Sequence, residues 1–141
     1  MTTPKEYLKQ YRRITEQIRQ LDNDVAELME ERSSIQIRTD GMPGGNEVAK
    51  RVEKLAIRIV DLEKQNLAKR NELLTEREKV RAVILAVPNA KLSKLLDLRY
   101  VHGMTWEEIA EEIETATRHV YRLHGLALLE AGEVMGGQKK V

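Results

Sequence analysis

Between Tyr7 and Val87 the apolar residues recur at alternating steps of four and three, interrupted once by a stretch rich in glycine. No other feature limits the fold as tightly, because this spacing places the apolar residues on one narrow helical stripe and leaves the rest to water. In the first run the stripe is Tyr7, Tyr11, Ile14, Ile18, Leu21, Val25 and Leu28, with mostly charged and amide residues between. Thr3, Pro4 and Glu6 open it: the Thr3 hydroxyl can accept from a first-turn amide, Pro4 suits the first helical position, and Glu6 completes a capping box. The pattern predicts a helix from about Pro4 to about Ser33.

The second run is Val48, Val52, Leu55, Ile59, Leu62, Asn66, Lys69, Leu73, Glu76, Val80, Val83 and Val87. It predicts a helix from about Glu47 to about Val87. Either Asn66, Lys69 and Glu76 occupy the seam, where polar residues fix register, or the stripe moves one position along to Leu67 and Leu74. Between the runs, Ser34 to Asn46 carries Gly41, Pro43, Gly44 and Gly45, which break a helix, and Asn46, which can cap the next. A phosphate loop would need a different spacing and a Lys-Ser/Thr ending. The stretch is therefore expected to be a connector, and the two helices an antiparallel coiled-coil hairpin.

With Ile35 beside Val48, Tyr7 would stand opposite Glu76, and Val80 to Val87 would overhang the first helix. That overhang is apolar on more than one face, so it needs the C-terminal region, a second copy, or both. A two-helix hairpin has little core of its own, so a homo-oligomer is expected, a dimer being favoured.

Composition agrees with helices that meet along stripes: 33% of the residues are charged and 4% aromatic, too little aromatic volume for a compact α/β enzyme. A formal charge of +1 gives no global field, so any contact with DNA must use local positive charge. The first residues lack the apolar segment of a signal peptide, and the run from Ala82 to Val87 is too short to span a bilayer. A soluble, cytoplasmic protein without membrane contact is expected.

Pro88 ends the second helix and Asn89 can cap a third, which offers Leu92, Leu95, Leu96, Leu98 and Tyr100 or Val101 for burial and stops at Gly103. Thr105 and Glu108 form a second capping box. Ile109, Ala110 and Ile113 then share one face of a short helix, Glu114-Thr115-Ala116 makes a turn, and Val120, Leu123 and Ala127 share one face of a final helix from Thr117 to Ala131. This is the pattern of a helix-turn-helix. Its turn places Glu114 where a left-handed backbone makes glycine usual, at a cost of about 1 kcal/mol.

Thr117, Arg118, Tyr121 and Arg122 face away from that core, on the helix that would enter a major groove. With Thr115 and His119 they form the candidate DNA-binding set. Arg118 and Arg122 can pair with guanine edges or phosphates, and Thr117 and Tyr121 can reach thymine methyls or backbone. The preceding helix carries the acids Glu107, Glu108, Glu111, Glu112 and Glu114. From Pro88 onward acids outnumber Lys plus Arg by one, so one copy should bind DNA weakly without sequence contacts.

The stretch KLLDLRYVHGMTWEEIAEEIETATRHVYRLHGLALLEA resembles region four of bacterial sigma factors, through Leu95 to Tyr100, Gly103 and Thr105 to Ile113. The whole chain is similar to small phage-encoded proteins related to late-transcription regulators of the RinA and ArpU type. That likeness rests on Tyr7, Tyr11 and Arg12, on MetProGlyGly at Met42 to Gly45, on the second long helix, and on RHVYRLHG at Arg118 to Gly125. The turn departs from the commoner Gly-aromatic-Ser. The resemblance implies binding to double-stranded DNA in the control of phage or prophage genes, alongside host RNA polymerase.

Three segments follow: 1–87 a helical arm, 88–132 a three-helix domain with the helix-turn-helix, and 133–141 a disordered tail. Other chemistry finds little footing. With no cysteine there are no disulfides, thiolate nucleophiles or Cys-based zinc sites. His119 and His124 are five apart, which does not stack them as metal ligands, and His102 sits at a helix end, where a cation suits the dipole. No cofactor and no catalysis are expected. Trp106 reads as a packing residue at the first turn of its helix. A packaging component resembling a small terminase subunit, or a protein-interaction module using the hairpin, are the rival readings.

Overall fold

The computed structural model describes residues 2–39 and 46–139, so the expected glycine-rich connector at Gly41 to Gly45 lies outside the described residues. The fold is all-α: two long helices form an antiparallel hairpin and a small helical domain follows. The helices are α1 (Pro4–Thr39), α2 (Asn46–Ala86), α3 (Ala90–Leu96), α4 (Trp106–Glu112) and α5 (Thr117–Lys139), with a π-helical turn at Asp97–Val101 directly after α3. The chain divides into two compact units, Met1–Thr15 with Thr75–Val141, and Glu16–Leu74. The first thus takes in both ends of the hairpin that a boundary at Pro88 would have left with the arm.

Within the unit Glu16–Leu74, Ile18, Ile35, Ile59 and Leu73 are buried. The Asn66 side-chain amide donates to the Leu21 carbonyl at 3.1 Å, and Arg70 pairs with Asp22 at 3.3 Å. Asn66 therefore holds its seam position and Leu67 is 59% exposed. Lys69 and Glu76, the other polar candidates for the seam, are exposed. Below Asn66 the stripe turns by one residue, so that long Arg side chains can bury their stems while their heads reach polar partners on α1. Ile35 lines a cleft with Leu55 and Arg58. With the Asn66–Leu21 and Arg70–Asp22 pairs, this puts the hairpin about one to two helical turns out of the expected register, and α1 runs on to Thr39, past the expected end at Ser33.

In the other unit, Leu8 and Tyr11 of α1 and Val80, Val83, Ile84 and Val87 of α2 join Leu92, Leu95, Leu96, Tyr100, Ile109, Val120 and Ala127 in one core. The apolar end of α2 is therefore covered by the C-terminal helices, one of the two partners it required. Arg77 lies 5.3 Å from the Tyr11 ring centroid and donates to the Thr15 hydroxyl at 3.3 Å. The break at Pro88 is chemically closed. Pro88 has no N–H to offer the Ile84 carbonyl, and the Ser93 hydroxyl donates to that carbonyl at 2.8 Å. Asn89 caps α3 by accepting from the amides of Lys91 and Leu92. The tail expected to be disordered from residue 133 is helical through Lys139, because Ala131, Val134 and Met135 continue the apolar face of α5 against the same core.

Candidate nucleic-acid interface

The helix-turn-helix is built by local chemistry at both ends of α4. At its start the Thr105 hydroxyl accepts from the Glu108 amide at 3.2 Å, and the Glu108 carboxylate accepts from the Thr105 amide at 3.5 Å, closing the expected capping box. At its end the Glu114 amide donates to the Glu111 carbonyl at 3.2 Å and the Thr115 amide to the Ala110 carbonyl at 2.9 Å. This double closure is a Schellman motif, whose C′ residue needs a left-handed backbone. Glu114 takes it, with φ 55°, as its place in the turn predicted. The Ala116 carbonyl then accepts from the amides of His119 and Val120, starting α5 without a side-chain cap.

The inward faces match the expected spacing. Ile109, Val120 and Ala127 are fully buried, and Ala110 and Leu123 nearly so. Of the candidate DNA-binding residues, Arg118 and Arg122 are exposed, Tyr121 is half-exposed, and Thr115, Thr117 and His119 are intermediate. The acids Glu107, Glu108, Glu111, Glu112 and Glu114 are exposed. Thr115 contributes its amide to the turn.

Beneath the presented face lies an aromatic cluster that periodicity did not reveal. Trp106 packs 4.6 Å from the His124 ring and 5.4 Å from the Tyr121 ring, centroid to centroid, and the Arg99 guanidinium lies 4.2 Å from the Trp106 centroid. Trp106 is thus the packing residue expected of it. Arg99 also donates to the Met104 carbonyl at 2.9 Å, bracing the loop before α4.

His124 is buried and 2.7 Å from the Tyr100 hydroxyl. Burial lowers its pKa to about 4, and the nearby positive charges of Lys5 and Arg99 push the same way. Burial also raises the Tyr100 pKa. At neutral pH, then, the imidazole is uncharged and the Tyr100 hydroxyl keeps its proton, so the pair shares one neutral hydrogen bond whose direction follows the imidazole tautomer. The sequence marks Tyr100 as a burial candidate, but nothing in a separation of 24 residues links it to His124.

A further histidine, His102, follows the π-helical turn and sits 3.3 Å from Asp97, which also faces Arg81 at 3.7 Å. Among the described residues no three His, Asp or Glu side chains gather as metal ligands, and no helix is long and apolar enough to cross a membrane. Compared with known proteins, the chain matches no family model, and no curated protein or solved structure is significantly similar to it.

Proposed function

We propose that this chain is a DNA-binding transcriptional regulator of phage type, which reads double-stranded DNA through the α4–α5 helix-turn-helix. The observation that carries the reading is the turn itself: a capped α4, a Schellman closure at Glu114, and an α5 whose first two turns expose Arg118, Tyr121 and Arg122. Those side chains suit major-groove recognition, Arg toward guanine O6 and N7 and Tyr toward thymine methyls or phosphate. The resemblance suggested by the sequence motifs, to sigma region four and to RinA- and ArpU-type regulators, points the same way, with host RNA polymerase as an associated partner and the bacterial cytoplasm as the setting. In this reading the protein binds and does not catalyse, and needs no cofactor.

Replacing Arg118 and Arg122 by Ala is expected to leave the fold intact and to weaken specific binding by about 1–3 kcal/mol each. A gel-shift titration at fixed salt, on duplexes selected from the source replicon, measures it; undiminished binding by the double variant removes the assignment.

A second reading draws on α2, where Ile57, Val60 and Leu67 are 56%, 48% and 59% exposed. Three large apolar side chains on one arm suit self-association or a partner protein. Light scattering separates the versions: a dimer fits regulation, a ring of many copies fits a packaging component of small-terminase type. Binding to a host protein with none to DNA at low salt selects an interaction module.

A further inference from the structure

The net-acidic character of the chain from Pro88 onward sits poorly with DNA binding, and the fold brings in charge from elsewhere. The first fifteen residues contain Lys5, Lys9, Arg12 and Arg13 against Glu6 alone, and they belong to the same compact unit as the helix-turn-helix. Lys5, Lys9 and Arg12 are spaced by four and three, so they share one face of α1. Lys9 and Arg12 line an open cleft with Arg99, Tyr100 and Gly103. Lys5 lies close enough to His124 for its charge to be felt there.

Gly103 is what lets Arg12 into this place. Its φ is +67°, and a Cβ built on it would overlap the Arg12 guanidinium. The arginine therefore lies across bare backbone.

Packing links the cleft to α5. Arg99 lines it and covers Trp106, and Trp106 packs on Tyr121. Nor is its charge neutralised by an acid. Glu6 is turned back to the Thr3 amide and Asp97 faces Arg81 and His102, while among the described residues no carboxylate lies within ion-pair distance of Lys9, Arg12 or Arg99. Lys9 and Arg12 are exposed. A major groove is about 12 Å wide, so a helix seated in it has a phosphate rim within reach of long side chains on the adjoining surface.

We propose that Lys9 and Arg12, with Arg99 beside them, form a phosphate-binding cleft that grips the DNA backbone next to the groove occupied by α5. The proposal rests on the DNA-binding reading and adds to it the element that supplies affinity without sequence preference. In this division α5 selects the sequence, and the start of α1 holds the duplex.

The test is fluorescence anisotropy on labelled duplexes across a salt series, with the full chain and Lys9→Ala/Arg12→Ala. The double variant should bind every duplex on the order of tenfold more weakly, keep its ranking of sequences, and show a salt slope shallower by about 2. Arg12→Lys should recover much of the loss, and circular dichroism melting should show both variants folded. The Arg118→Ala/Arg122→Ala variant should do the reverse, losing the ranking of sequences. If that variant fails as expected while Lys9→Ala/Arg12→Ala keeps the wild-type slope, the cleft is overturned and the DNA reading stands. If the wild type binds no duplex at low salt, both fall together. Competition with inorganic phosphate against sodium chloride at equal ionic strength separates the remaining source. Stronger suppression by phosphate of the wild type alone would support the backbone assignment, whereas phosphate binding to the wild type alone with no loss of duplex affinity would mark a pocket for free phosphate and overturn it.

Discussion

The two compact units use the same kind of helix in different ways. In the unit formed by the chain ends, Leu8, Val83, Ile84, Leu95, Leu96, Ile109 and Val120 are wholly or almost wholly enclosed, because five helices converge and each covers its neighbours. In the unit Glu16–Leu74 two helices meet along one seam. Leu21, Val25 and Leu28 stay half-buried, and Ile57, Val60 and Leu67 face outward. A heptad stripe thus makes a helix pair but not an enclosed core; enclosure needs a third element. The face proposed to read DNA sits on the enclosed unit, where side chains can be held in place by packing from beneath, as Trp106 holds Tyr121.

The largest effects should come from breaking that enclosure. Leu95→Ala, at a site with no exposure, is expected to cost about 3 kcal/mol, whereas Leu28→Ala in the seam should cost about 1 kcal/mol or less. Urea denaturation of each variant measures both. Equal losses would mean that the two units are equally well enclosed.

Acid should attack the enclosed unit next. The His124 pKa is about 4 in the folded chain and near 6.5 when unfolded. The unfolded state therefore binds the extra proton between those values, and stability falls as pH drops from about 6.5 to about 4. The loss is on the order of 2–3 kcal/mol, complete below the folded value. Thermal melts at stepped pH should show this slope, and His124→Gln should flatten it. A wild-type slope that survives in His124→Gln would assign it to other groups.

Smaller changes sharpen the comparison. Glu114→Gly relieves a left-handed residue and should raise stability by about 1 kcal/mol, a shift of a few degrees in melting temperature. A fall would show that Glu114 makes compensating contacts. Least of all, Asp22→Asn removes an exposed ion pair with Arg70 and should change stability by less than about 0.5 kcal/mol in the same melts. A larger loss would raise that bridge to a main support of the two-helix unit.

Much of the fold was legible before any coordinates. The two long helices, the capping boxes at Thr3 and Thr105, the stop at Gly103 and the left-handed turn at Glu114 all follow from residues within a few positions of one another. Their causes are local: amide satisfaction, backbone sterics and a 3.6-residue period. The same holds for the outward placing of Arg118, Tyr121 and Arg122, which is the complement of Val120 and Leu123 pointing in.

What only the tertiary structure decided is everything that depends on register and closure. Chain pairing put Ile35 near Leu55 and brought Arg70 and Arg77 into contact with α1, leaving Lys69 and Glu76 in water. Closure extended α5 through the glycine-containing tail, joined Tyr100 to His124, and set Arg12 across Gly103. These partners lie from 20 to more than 90 residues apart. No local pattern encodes such pairs, because which distant surfaces meet is settled by how the helices slide and stack to exclude water, and that is a property of the whole assembled core.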